Sequence, residues 1–126
     1  MKLSQATVLI VDDELELLEI FGAWLRRCGC RVLTAANGAV ALEMLLREPV
    51  HALVSDIRMP IMDGIALALA TARDFPDLTI LLMTGYADQR ERAHGLDALI
   101  HDVIPKPFSL AVLRGAVDEA LAVKAR

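Results

Sequence analysis

Three short stretches of this chain, Ala6 to Val11, His51 to Ser55 and Leu78 to Met83, are apolar at odd and even positions alike. A strand with one wet face alternates apolar and polar residues, whereas a strand covered on both faces does not, so these runs predict the inner strands of a parallel sheet with helices on either side. The intervening segments are helical in pattern. From Leu15 to about Cys28, Leu18, Phe21, Leu25 and Cys28 recur at helical spacing, and Gly29 offers a stop. Arg31 to Ala35 reads as a second strand, and Ala41, Leu42, Leu45 and Leu46 mark a second helix that ends before Pro49. A third helix is expected from Gly64 to Asp74. A fourth helical segment over 88–98 is weakened by Gly95. A fifth strand is expected around Ile100 to Ile104, and Ser109 caps a last helix lined by Leu110, Leu113, Val117, Ala120 and Leu121. Five strands alternating with helices give a doubly wound α/β fold.

Length and composition narrow the function. With 126 residues, 56% of them apolar, the chain suits one domain spanning residues 1–126. No run approaches the ~20 apolar residues of a membrane span, and nothing resembles a secretory leader, which predicts a cytoplasmic protein without a membrane partner. The net charge is -4 and the basic residues are scattered apart from Arg26 and Arg27, which argues against direct binding of nucleic acid. Cys28 and Cys30 have no spacing that suits zinc or a disulfide framework and read as reduced thiols.

In a parallel sheet the carboxyl ends of all strands share one edge, where ligands bind. Here that edge receives Asp12 and Asp13, Asp56, Thr84, and Lys106 just past the fifth strand. Two unit charges about 4 Å apart repel by roughly 4 kcal/mol at an effective dielectric of 20, so three gathered carboxylates call for a proton or a cation. An all-oxygen donor set suits Mg²⁺ or Mn²⁺. Lys106 and the Thr84 hydroxyl would complete a site for phosphoryl oxygens. Singly, each residue has a plainer reading: Asp12 as a cap of the first helix, Lys106 as a solvated loop lysine, Thr84 as the end of its strand. Asp63 serves the turn before Gly64; His51, His94 and His101 lack a nucleophile partner; Trp24 and Phe108 read as packing groups.

The ordered motifs Asp12-Asp13, Asp56-Ile57-Arg58-Met59-Pro60 with Met62-Asp63-Gly64, Thr84-Gly85-Tyr86 and Lys106-Pro107-Phe108 resemble the receiver domain of two-component response regulators over essentially the whole chain. That resemblance implies a flavodoxin-like fold with strand order 2-1-3-4-5, an order the chemotaxis regulator of this family exemplifies. It implies that Asp56 accepts a phosphoryl group from a histidine kinase or a histidine phosphotransfer protein. It also implies that Asp13, Asp56 and the backbone carbonyl of Arg58 hold Mg²⁺ directly, with Asp12 acting through a water. Lys106 would pair with the phosphoryl group, Thr84 would turn toward it, and the Lys106-Pro107 peptide would be cis. Arg58 and Tyr86 would tune the lifetime of the acyl phosphate. Val103 stands where many receivers carry an aromatic switch residue, and its single stiff torsion cannot make the same swing.

The function implied is a phosphorylation-activated signalling switch that turns over only its own phosphoryl group, not an enzyme acting on other substrates, and that binds a downstream protein target. The Met1 start favours a stand-alone protein over a receiver module cut from a hybrid histidine kinase. A homodimer through the last strand and helix is left open. A metal-dependent phosphohydrolase would want a second acid where Arg58 stands. A flavodoxin-like cofactor carrier would want a phosphate loop where Asp12, Asp13 and Glu14 would repel one.

Overall fold

The apolar runs form a five-stranded parallel sheet in the order β2-β1-β3-β4-β5. The computed structural model describes residues 1–85, 93 and 95–124. After a 3-10 turn at Leu3–Gln5, its elements are β1 (Thr7–Val11), α1 (Leu15–Arg27), β2 (Arg31–Ala35), α2 (Gly38–Arg47), β3 (Ala52–Asp56), α3 (Gly64–Asp74), β4 (Thr79–Thr84), β5 (Asp102–Pro105) and α4 (Leu110–Lys124). β2 and β5 are the edges of the sheet.

Each continuous apolar run proves to be two interleaved alternations, one for each face. Val8 and Ile10 pack with Leu18, Phe21 and Leu25 of α1 and with Leu113, Val117 and Leu121 of α4. Leu9 and Val11 pack instead with Ala41 and Leu45 of α2 and Leu67 and Ala68 of α3. Successive side chains of a strand point to opposite faces, so apolar residues of both parities leave β1 no face for water.

Helix boundaries follow local chemistry. The side chains of Asn37, Asp63 and Ser109 accept backbone hydrogen bonds from Val40, Ala66 and Val112 at 2.9, 2.8 and 3.2 Å, satisfying amides that the first turns of α2, α3 and α4 leave open. α1 ends at Arg27 with Cys28 as its cap, one residue earlier than the periodicity suggests, and Gly29 takes the left-handed φ of 92° that turns the chain into β2.

Several strand limits shift by a residue. β1 starts at Thr7, β3 covers Ala52–Asp56 and β4 extends to Thr84, so Asp56 and Thr84 are the final residues of their strands. β5 begins at Asp102, two residues later than expected. The Ile100 amide donates to Leu96 at 3.1 Å, closing a turn, although the Ile100 side chain is buried as a strand residue's would be. Most of the fourth helical segment expected over 88–98 lies outside the described residues; of those described, Ala93 is helical and 95–98 form a turn. No helix among the described residues is long and apolar enough to cross a membrane.

The turn after β3 brings α3 close to the sheet edge. The Gly64 amide donates to the Ile57 carbonyl at 2.8 Å, and a Cβ at Gly64 would overlap the Asp56 carbonyl oxygen. Only glycine fits there.

Candidate functional site

The parallel register sets which residues meet at the carboxyl edge. Val11 pairs with Ser55 and Asp56 with Met83, so the residues after β1 and at the end of β3 arrive side by side. Asp12 turns inward and is fully buried, while Asp13 is exposed. One carboxylate oxygen of Asp12 accepts from the Glu14 amide at 3.0 Å, holding the turn into α1. The other accepts from Lys106 Nζ at 2.7 Å. Lys106 Nζ also lies 3.4 Å from Oδ1 of the buried Asp56. Carboxylate oxygens of Asp12, Asp13 and Asp56 all lie within 4.8 Å of one another.

Lys106 spans from the sheet edge to reach this cluster. Its amide donates to the Thr84 carbonyl at 2.7 Å, and its ammonium extends past β4 to residues of β3 and the β1 end. The Lys106-Pro107 peptide is cis. Thr84, the last residue of β4, is buried at the same edge of the sheet.

The electrostatics follow from burial and crowding. Burial pushes the Asp56 carboxyl up to about 6, and Asp12 and Asp13 add to the rise while Lys106 opposes it. Burial pulls the Lys106 ammonium down, but its hydrogen bond to Asp12 and the charge of Asp56 outweigh that and hold it above its usual value. Lys106 offsets part of the charge of three carboxylates. Their convergence without His or Cys is the donor set of a hard cation such as Mg²⁺, so the residues present fit that group.

A family model for the response regulator receiver domain matches residues 8–118. The chain belongs to this family. Response regulator MprA of Mycobacterium leprae is 39% identical to it over 114 residues, covering 90% of this chain and 50% of MprA. Transcriptional regulatory protein PrrA of Mycobacterium tuberculosis is 34% identical over 114 residues, covering 90% of this chain and 49% of PrrA. This receiver domain therefore spans about half the length of the curated relatives it matches. Among solved structures, a CheY-like receiver domain protein from Methanospirillum hungatei JF-1 superimposes with a TM-score of 0.89 at 27% identity, covering 95% of this chain and 96% of the other. The response regulator TrrA of Thermotoga maritima, solved in complex with Mg(2+)-BeF, gives a TM-score of 0.84 at 27% identity, covering 96% and 100%. The chain is thus homologous to phosphorylation-activated regulators of two-component systems, and its fold is theirs.

The remaining residues singled out in the sequence are distributed as follows. The Arg58 side chain is exposed just beyond Asp56. Val103 is half-buried on β5 against the core that α2 and α3 cover. Tyr86 and His94 lie outside the described residues. Nδ1 of His51 accepts from the Thr7 amide at 2.9 Å, tying the entry of β3 to that of β1 at the far edge of the sheet. Cys28 and Cys30 are free, and burial pushes the Cys30 thiol up as it donates to the Leu25 carbonyl at 3.1 Å. Phe108 stacks on Phe21, ring centroids 4.9 Å apart, and Phe21 in turn meets Trp24 at 5.6 Å.

Two features of the receiver escaped the sequence. One is the close Lys106–Asp12 pair, since the sequence suggested Lys106 only as a partner of the phosphoryl group. The other is Ile61, with a φ of 70° and 84% exposed, at the centre of a γ-turn closed by the Met62 amide on the Pro60 carbonyl at 2.7 Å. Positive φ at the centre of such a turn is strained for a β-branched residue. Nothing in the composition of Pro60-Ile61-Met62 signals that conformation.

Proposed function

We propose that Asp56 is the phosphoacceptor of this receiver domain and that residues 1–126 act as one phosphorylation-activated switch. The observation that carries this reading is the convergence of Asp56 with Asp12, Asp13 and Lys106 at one edge of the sheet. A carboxylate oxygen of Asp56 attacks the phosphorus of a phosphohistidine on a histidine kinase or histidine phosphotransfer protein. The phosphorus–nitrogen bond breaks, the imidazole leaves with its electron pair and takes a proton, and Asp56 becomes an acyl phosphate. Water later attacks the same phosphorus, releasing inorganic phosphate and restoring the carboxylate. With its carboxyl near 6, Asp56 is ionised and nucleophilic at neutral pH.

Asp13, Asp56 and the Arg58 carbonyl would hold Mg²⁺ or Mn²⁺ directly, with Asp12 behind a water. When bound, the ion supplies positive charge against the phosphoryl oxygens. Lys106 would supply a second positive charge, and its pairing with Asp12 keeps it beside the acceptor before a phosphoryl group arrives. Thr84 turns its hydroxyl onto a phosphoryl oxygen. Arg58 and Tyr86 set how water reaches the acyl phosphate, so Tyr86→Ala changes the dephosphorylation rate. With Val103 in place of an aromatic, the change at the partner-binding surface rests on Thr84 and the segment that follows it.

The chain catalyses only its own phosphorylation and dephosphorylation, in the cytoplasm, and signals to a downstream protein, with the last strand and helix as a surface for self-association. PrrA, named a transcriptional regulatory protein, is about twice as long as the region this chain matches, so its role in transcription is not carried over to this chain.

The test is incubation with Mg²⁺ and acetyl phosphate or phosphoramidate, followed by intact mass and by release of inorganic phosphate. One added phosphoryl group, absent from Asp56→Asn and from a chelated control, is the expected result. Neither adduct nor phosphate release from any donor would overturn the reading.

A further inference from the structure

We infer that Phe108 is a positioning residue for Lys106, acting through its stack on Phe21 of α1. The inference rests on the reading that Lys106 meets the phosphoryl group, and it concerns what holds that lysine in place.

Lys106 works at a distance from its own strand. Its backbone leaves the short edge strand β5 at Pro105 and its amide donates to Thr84, while its ammonium must lie between Asp12 and Asp56, beyond β4. These contacts hold the loop from the side of β4 and β5; a second anchor holds it from the helix side. Between Lys106 and the capped start of α4 at Ser109, the group that supplies the second anchor is the ring of Phe108, stacked on Phe21 at 4.9 Å with 28° between ring planes. Phe21 is buried in the core shared by α1, α4 and the sheet, and α1 begins directly behind Asp12 and Asp13. The stack therefore ties the lysine loop to the same element that orients the acids Lys106 must face. None of the three carboxylates depends on Phe108, because all come from the ends of β1 and β3.

Removing the ring should loosen Lys106 and spare the metal donors. Phe108→Leu keeps an apolar side chain of similar size but no face to stack. An aromatic pair adds roughly 0.5–1.5 kcal/mol beyond its buried area, so if that interaction is spent on holding Lys106 the variant loses about threefold to tenfold in the rate of phosphorylation.

The experiment measures phosphorylation by acetyl phosphate at saturating Mg²⁺, with Mg²⁺ affinity from calorimetry. Phe108→Leu and, from the other side of the stack, Phe21→Leu are expected to slow phosphorylation by that factor with unchanged Mg²⁺ affinity, and Phe108→Tyr is expected to restore the rate. Thermal unfolding confirms that each variant is folded, and either leucine variant suffices if the other is not. The deciding measurement is made in a Lys106→Met background, where Phe108→Leu should cost nothing further. A wild-type rate for both leucine variants, or an undiminished loss in the Lys106→Met background, overturns the inference. Lys106→Met at the wild-type rate would instead overturn the role given to Lys106 itself.

Discussion

Replacing Asp56 by Asn should make this protein more stable at neutral pH while removing the proposed acceptor. The carboxyl stands near 6 in the folded chain against an ordinary 3.8, with burial as the main cause. The folded state therefore holds the proton more tightly than the unfolded chain does, and the sign follows. Below about pH 4 the group is protonated in both states and costs nothing; from there to pH 6 it ionises first in the unfolded chain and stability falls; above pH 6 the penalty is constant. A displacement of this size amounts to about 3 kcal/mol. Asp56→Asn keeps the shape and removes the charge, so in chelated buffer it should exceed the wild type by about 2–3 kcal/mol at pH 8, the gap closing toward pH 4. Urea unfolding followed by Trp24, the single tryptophan, measures this across pH 4–8. Added Mg²⁺ should narrow the gap by stabilising the wild type more, because the folded cluster is its proposed site. A variant no more stable than the wild type at pH 8, or a gap independent of pH, would refute the assignment of the penalty to a buried, crowded carboxylate.

Ile61→Gly removes a β-branched side chain from positive φ, gaining about 1–2 kcal/mol of relieved strain against about 0.5–1 kcal/mol of added chain entropy, for a net stabilisation near 0.5–1 kcal/mol in urea unfolding. Gly64→Ala forces a methyl group into the Asp56 backbone, which cannot yield as a flexible side chain would; a loss of roughly 1–3 kcal/mol in thermal unfolding and slower phosphorylation by acetyl phosphate are expected together. Asn37→Ala strips the cap from α2 at the far side of the sheet from Phe21, costing about 1 kcal/mol of stability with an unchanged phosphorylation rate by intact mass.

Much of this architecture is written in residue patterns that follow directly from burial. β1, β3 and β4 are apolar on both parities because helices cover both faces, and Asn37, Asp63 and Ser109 occupy cap positions that a short polar side chain fills. β5 is harder to delimit, since Ile100 is buried but its amide closes a turn onto Leu96; burial periodicity cannot separate a core turn from a strand. Asp12, Asp56, Thr84 and Lys106 were legible as a group because each follows an apolar run whose end the fold assigns to one edge. Which of the adjacent acids faces inward was not, because it depends on the turn at Glu14 that buries Asp12 and leaves Asp13 exposed. The Lys106–Asp12 pair follows from that turn and was hidden with it. Ile61 was hidden for a different reason: its position favours glycine, and its own side chain says nothing about the strain it bears.

The edge strands also limit how copies of this chain can meet. β5 is only four residues long; its exposed Asp102 takes the Val103 amide at 2.8 Å, and Pro105 has no amide to offer. At the opposite edge, β2 opens with exposed Arg31 in an ion pair with Glu48. A foreign strand approaching either side meets a charge and, at β5, a ladder with too few donors to extend. Edge-to-edge polymerisation is thereby disfavoured even for a sheet this apolar. Association between copies is left to side-chain surfaces, which can be made and broken without adding a strand to the sheet.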